Sequence, residues 1–347
     1  MRYIKISLIL LYIVFHSFSS FGKSGIIDSL KSEASNSKEN NARVDALIDL
    51  SWAYQSNNPP DNIEAMKYAN AGLTLAIKIN YQKGIGSSYQ CIGSIYDAEK
   101  QYNSAIEFYN KALTVREKIR DKVGIASSLN NIAVVYKKQS KYKLAILYFY
   151  SSSILKQILG DTTGTIGALN EIGNIYNEQA IYPQALEFYS EALKINESLG
   201  DKYKIAFSYN LIGTIYKSQK DDKNSLYYYN KSLKISEELM DKNGTAKCYN
   251  NIGGSFYIVN KKDSALKNYH VAMKIYNELK DSNNIAVCLM NIGLIFSDNF
   301  NYQHALGYFN KSLEIFRSFG SKNDVSICLN NIGLVYFQFR QIINHQG

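Results

Sequence analysis

CIGSIY at 91–96, NIAVVY at 131–136, EIGNIY at 171–176, LIGTIY at 211–216, NIGGSF at 251–256, NIGLIF at 291–296 and NIGLVY at 331–336 begin at intervals of forty residues. In each block an isoleucine (Ile92, Ile132, Ile172, Ile212, Ile252, Ile292, Ile332) precedes a small residue (Gly93, Ala133, Gly173, Gly213, Gly253, Gly293, Gly333). Three places further stands an aromatic: Tyr96, Tyr136, Tyr176, Tyr216, Phe256, Phe296 or Tyr336. Self-similarity at one period of this length marks stacked supersecondary units, none of which can cover its own apolar face alone.

Each period holds two stripes with helical spacing. Ile125, Leu129, Ile132, Ala133 and Tyr136 form the first, and Ala105, Tyr109, Ala112, Val115 and Ile119 the second; both step by three or four. The second recurs as Ala145, Phe149, Ser152, Leu155 and Leu159, and as Ala185, Tyr189, Ala192, Ile195 and Leu199. Each period therefore reads as a helical hairpin. Asp121, Asp161, Asp201, Asp241 and Asp281 precede the first helix, where a side-chain oxygen caps free amides. The stretches KQSK, EQAI and NFNY separate the two helices, and no strand pattern competes. A small residue at the crossing lets the backbones approach, and the aromatic fills the space between hairpins.

Leucine or aromatic, isoleucine, glycine, aromatic, then alanine, aromatic, alanine resembles the tetratricopeptide repeat. Tyr89, Ile92, Gly93, Tyr96, Ala105, Tyr109 and Ala112 stand at that family's spacings. The resemblance covers residues 43–338. It departs in a period of forty rather than about thirty-four residues, and in lacking the proline that often closes the second helix. HEAT repeats share the period but not the small-aromatic order. The resemblance implies an all-α, right-handed superhelical solenoid of antiparallel hairpins. It resembles exported bacterial arrays of such repeats, including the sensor regions of some histidine kinases.

Length alone gives a prior of about two domains at ~150 residues each, which the repeat overrides. Among 347 residues, 46% apolar and 20% charged composition excludes a disordered chain and a multi-span membrane protein. The 29 tyrosines and 15 phenylalanines are accounted for by the periodic packing positions. The first hairpin uses Asp45 to Tyr54 and Ala65 to Ile79, with Pro59 and Pro60 between; six more begin near Tyr81, Asp121, Asp161, Asp201, Asp241 and Asp281. An eighth begins near Ser321, completes its first helix through Tyr336 and has no second one, so 339–347 is expected to be a tail on an interrupted reading frame. Residues 23–42, rich in Ser, Lys, Asn and Glu, read as a solvated lead-in.

Residues 1–22 have the order of a secretory signal peptide: Arg2 and Lys5, the apolar run Ile6 to Phe15, then small residues with Ser20 and Gly22 before a cut. The run is far short of the ~20 residues that span a bilayer. The expected mature chain, with 37 basic and 30 acidic residues, is periplasmic or extracellular and has no membrane span.

Candidate chemistry mostly dissolves into the repeat. Cys248, Cys288 and Cys328 share the phase of Ser88, Ser128, Ala168 and Ser208, so they read as small packing residues rather than a disulfide framework. The histidines give no pair at ligand spacing, and there is no CxxC. GIG at 84–86 lacks the third glycine of a dinucleotide loop, and Asp221 with Asp222 reads as solvated. No enzyme, cofactor or metal is expected. Scattered lysines and aromatics engaged in packing argue against nucleic acid.

What remains is the surface that faces the concave side in tetratricopeptide proteins. Asn130, Asn131, Asn170, Asn210, Asn250, Asn251, Asn291, Asn330 and Asn331 concentrate at one phase of the first helices, although asparagine is a mediocre helix former. An amide offers the donor and acceptor that an extended backbone needs. Asn174, Lys137, Lys138 and Lys217, one turn on, are expected to share the groove and to favour acidic side chains or a carboxylate. The expected function is a non-enzymatic scaffold holding a protein or peptide segment, with the sensory input region of a membrane-bound signalling protein as the alternative.

Overall fold

The computed structural model describes residues 20–36, 38–57 and 59–346. Residues 1–19, most of the expected leader, lie outside them. Among the described residues there are sixteen helices and no strand. They are α1 (Ser20–Asn36), α2 (Asn41–Gln55), α3 (Asn62–Lys78), α4 (Gln82–Ala98), α5 (Tyr102–Lys118), α6 (Lys122–Lys138), α7 (Tyr142–Ile158) and α8 (Thr162–Glu178). There follow α9 (Tyr182–Leu199), α10 (Lys202–Ser218), α11 (Asp222–Glu238), α12 (Lys242–Ile258), α13 (Lys262–Glu278), α14 (Ser282–Asp298), α15 (Tyr302–Ser318) and α16 (Lys322–Gln346). Contacts divide the chain into two compact units, one through Ile172 and one from Gly173.

Within each unit consecutive helices pack as hairpins, and first (A) helices also touch the next A helix, as α4 does α6 and α10 does α12. The fold is thus the all-α repeat solenoid expected from the sequence. Ile92, Ile132, Ile172, Ile212, Ile252 and Ile292 are all buried. The A-helix aromatics stack on the second (B) helix of their hairpin: Tyr96 on Phe108 at 5.4 Å, Tyr136 on Tyr148 at 5.5 Å, Tyr216 on Tyr228 at 5.5 Å and Phe296 on Tyr308 at 5.3 Å between ring centres.

The helix joints are built from local hydrogen bonds. Asp121, Asp161, Asp201, Asp241 and Asp281 each accept the amide of the residue three places on, as expected. The backbone N–H of the same aspartate reaches the carbonyl five residues back, for example Asp121 to Arg116 at 2.9 Å and Asp241 to Ser236 at 2.9 Å. The preceding residue is left-handed. Glycine fills that seat at Gly160, Gly200 and Gly320, but Asn80, Arg120, Met240 and Lys280 fill it elsewhere, with φ between 53° and 56°.

Two boundaries differ from the sequence reading. The supposed solvated lead-in contains α1, which packs on α2 with Ala34 buried and Ile27 and Leu30 against the first core cluster. Three apolar residues at helical spacing suffice once a partner is present. The last A helix does not stop near Tyr336 but continues through the expected tail to Gln346. Leu329, Leu334, Tyr336, Phe337 and Phe339 on it are exposed.

All four cysteines are free and buried. Burial pushes the Cys288 thiol up to about 12, and raises Cys91, Cys248 and Cys328 as well. At pH 8 a thiol of pKa 12 is ionised in only about one molecule in ten thousand, so it is a poor nucleophile. Native protein should therefore leave these thiols unlabelled by a thiol reagent over the time in which the denatured chain yields all four. Rapid labelling of Cys288 in the folded state would contradict the packing assignment.

Candidate functional site

The A helices are held close to their B partners by the glycine that follows the core isoleucine. A Cβ at Gly93, Gly173, Gly213, Gly253 or Gly293 would come within 2.6–2.8 Å of the ring of Tyr109, Tyr189, Tyr229, Tyr269 or Phe309. This close approach fixes the A helices and with them the phase that carries the asparagines.

The structure gives many of those asparagines partners within the chain. Asn251 Nδ2 donates to Asn210 Oδ1 at 3.2 Å, and Asn291 Nδ2 to Asn250 Oδ1 at 3.1 Å, so neighbouring A helices are linked amide to amide. Asn130 accepts from Lys156 Nζ at 3.1 Å, and Asn174 from the Tyr189 hydroxyl at 2.6 Å. Asn170 Oδ1 is buried without a hydrogen-bond partner. Asn131 and Asn331 are half-buried, and Asn330 is exposed on α16.

The expected lysines are also engaged. Lys137 pairs with Glu171 at 3.0 Å and Lys138 with Asp97 at 2.7 Å. Lys217 lies over the Tyr229 ring at 6.0 Å, and burial lowers its pKa. The positive charge expected to attract an acidic ligand is thus neutralised at Lys137 and Lys138 and sequestered at Lys217.

The A-helix face of the second unit contains a recess of about 310 Å³ between α10 and α12, floored by Ser232 and Ser236 of α11 and Gly244 of α12. Asn210, Asn250 and Asn251 line it, which brings part of the sequence-read row into one place. Sequence reasoning missed Tyr203 and Phe207 at its edge, both more than half exposed. Their signal was available: the positions equivalent to Phe207 read Ser87, Ser127, Gly167, Lys247 and Val287, so an aromatic there is peculiar to this repeat. Asp241 and Lys247 are the only charged side chains in the lining. A solvent-open recess with amides inside and exposed rings at its edge can hold a polypeptide side chain and its adjoining backbone.

No group of three or more His, Cys, Asp or Glu that could hold a metal occurs among the described residues. Nor, among those residues, is any helix long and apolar enough to cross a membrane.

The tetratricopeptide repeat family matches the chain over residues 85–153 and 164–238. No curated protein matches it. Among solved structures, a tetratricopeptide repeat protein from Parabacteroides merdae is 16% identical, with 84% of this chain and 98% of the other covered and a TM-score of 0.60. Aspartyl phosphate phosphatase F from Bacillus subtilis is 12% identical, covering 92% and 95%, with a TM-score of 0.59. A Rap protein complexed with competence and sporulation factor is 15% identical, covering 97% and 98%, with a TM-score of 0.52. At these identities the likeness shows the fold. Together with the forty-residue register, the buried isoleucines and the glycine-aromatic contacts, the family match identifies tetratricopeptide repeats over residues 85–153 and 164–238.

Proposed function

We propose that the chain is an interaction scaffold that holds an extended protein or peptide segment along the groove lined by its A helices and carries out no chemistry of its own. The observation that carries this is the recess beside exposed Tyr203 and Phe207. Large exposed rings next to unfilled polar space are what a partner's side chains bury against, whereas the remaining tyrosines of the array are largely occupied in packing. A Rap protein of the same fold is known in complex with competence and sporulation factor, a use of the fold like the one proposed. The leader pattern at 1–22 supports export to the periplasm, where the face serves a stand-alone scaffold or a signalling input region equally well.

The amide row contributes less than its regularity promises, because Asn210 and Asn250 already accept hydrogen bonds from Asn251 and Asn291. A ligand that takes those acceptors exchanges one bond for another, and the net gain is small. The rings are therefore the better targets. Peptides selected from a random display library against the whole chain should bind the double variant Tyr203→Ala, Phe207→Ala at least tenfold more weakly, with helix content unchanged. Equal binding by that variant would place the partner elsewhere and end the groove assignment.

A further inference from the structure

At one B-helix position the first to seventh hairpins carry Ala76, Arg116, Lys156, Asn196, Ser236, Tyr276 and Phe316. All but Lys156, which is half-buried, are buried. Arg116, Lys156 and Asn196 reach into the next A helix. Arg116 donates to the Gly124 carbonyl at 3.1 Å and to Ser128 Oγ at 2.8 Å. Lys156 donates to Asn130 Oδ1 at 3.1 Å and to the Gly164 carbonyl at 3.4 Å. Asn196 donates to Ser208 Oγ at 3.0 Å. Each cation also lies near the aspartate that caps that helix, Asp121 for Arg116 and Asp161 for Lys156, whose charge favours the protonated form against the cost of burial.

Where a long cation passes, the opening turn carries glycine. A Cβ at Gly124 would meet the capping Asp121 and lie 2.6 Å from the Arg116 side chain, and one at Gly164 would meet Asp161 and lie 2.8 Å from Lys156. The cap does not require this glycine, because Lys204 and Asn284 occupy the same place beside Asp201 and Asp281, which cap normally. After the fifth full hairpin the glycine is kept, as Gly244, but the long side chain is replaced by Ser236, whose Oγ lies 2.8 Å from where a Cβ at Gly244 would stand. Both Ser236 and Gly244 line the recess. Its lining includes Asn210, Gly244 and Asp241, the equivalents of the Asn130, Gly164 and Asp161 that surround Lys156.

We infer, given that this face binds a polypeptide segment, that the recess beside Ser236 is a specificity pocket for a lysine or arginine side chain of that segment, whose head takes the place that Lys156 and Arg116 fill in their own repeats. The Gly244 carbonyl and Asn210 Oδ1 supply acceptors, and Asp241 supplies the opposite charge and offsets the positive end of α12. Tyr203 and Phe207 cover the aliphatic stem, and the same helix shows that rings on this surface attract a lysine, since the Lys231 ammonium lies 5.0 Å and 4.7 Å from the ring centres of Tyr209 and Tyr227. Lys247 is exposed and keeps its head in water. An apolar occupant gives Asp241 no counter-charge, and an acidic one is repelled by it.

The test is selection of random heptapeptides on the full chain, followed by synthesis of the strongest with its ends blocked. Selected sequences should share one Lys or Arg, and its replacement by norleucine should weaken binding at least tenfold. Ser236→Arg should weaken binding of the parent peptide by at least tenfold while leaving the melting temperature within a few degrees, since Arg116 shows that the fold accommodates this filling. Asp241→Asn preserves the helix cap and should reduce the preference for lysine over norleucine at least threefold, which gives a reading even if Ser236→Arg does not fold. Peptides without a basic residue that still depend on Tyr203 and Phe207 would overturn the pocket and leave the groove standing. Basic peptides indifferent to both Ser236→Arg and Asp241→Asn would also overturn it. Selection of no peptide would remove both.

Discussion

Phe309→Ala is expected to destabilise helices α14 to α16 by about 3–5 kcal/mol, the usual loss when a fully buried aromatic is truncated. The Phe309 ring has no solvent exposure, lies over Gly293 of α14 and belongs to one cluster with Tyr302, Ala305 and Val335 of α16. Ile332, Met290 and Leu294 close around that cluster, so the hole is lined from three helices that cannot all move inward. In a solenoid each hairpin is stabilised mainly by its neighbours, and the loss should stay local. Hydrogen exchange resolved by helix is the appropriate measurement, because a single global unfolding energy is not well defined for such a chain. Protection should fall in α14 to α16 and persist in α10 to α12. A loss below about 1 kcal/mol, or one shared evenly by all helices from α9 onward, would show that the ring does not clamp the last hairpin.

Gly253→Ala and Gly333→Ala occupy the same phase of the repeat and should act in opposite directions. At Gly253 a Cβ would sit 2.8 Å from the Tyr269 ring and 3.3 Å from the Ala265 carbonyl, so ring and backbone must both give way. Overpacking of this kind costs about 1–3 kcal/mol, from which alanine's better helix propensity returns at most about 1. At Gly333 nothing lies within 4 Å, and only the gain of about 0.5–1 kcal/mol is expected. Ala133 indicates that a methyl is accepted where a hairpin is built around it, there without exposure in the first unit. Denaturant midpoints of the two variants decide the matter, and movement in the same direction would undo the close-approach account.

The sequence made the hairpins legible because Ile92 and its six equivalents repeat one packing solution, and a signal repeated at one phase outweighs any single propensity. The caps at Asp121 and its equivalents were legible for the same reason. The extent of α16 was not. In earlier repeats the turn after the A helix passes through Lys100, Ser140, Ala180, Lys220, Asn260 or Phe300, ordinary residues held at φ between 56° and 61°. Nothing local requires a break there; packing against the B helix imposes it, and α16 runs on past the equivalent Arg340. Helix α1 escaped notice because its apolar residues are few and outside the period. At the site, the asparagine phase could be read, but the pairing of Asn251 with Asn210 could not, since a 41-residue offset depends on how one repeat is rotated on the next. The recess was hidden because it comes from a short side chain, Ser236, in a column otherwise too varied to define an expected volume.

The joints between hairpins carry a consequence for ancestry. At Asp121, Asp161, Asp201, Asp241 and Asp281 the bonds to the carbonyl five residues back, to the amide three residues on and to the first helical turn all close within about ten residues. Removing 201–240 would bring Gly200 against Asp241, a left-handed residue followed by a capping aspartate, and so rebuild a joint of the kind already present. Unequal recombination in units of forty codons thus joins like to like and strands no polar group, whereas a cut of half that length sets an A helix where a B helix is needed. The number of hairpins is therefore the easiest property of this lineage to change. The side chain at a position such as Ser236 can change in one copy while the other copies keep theirs.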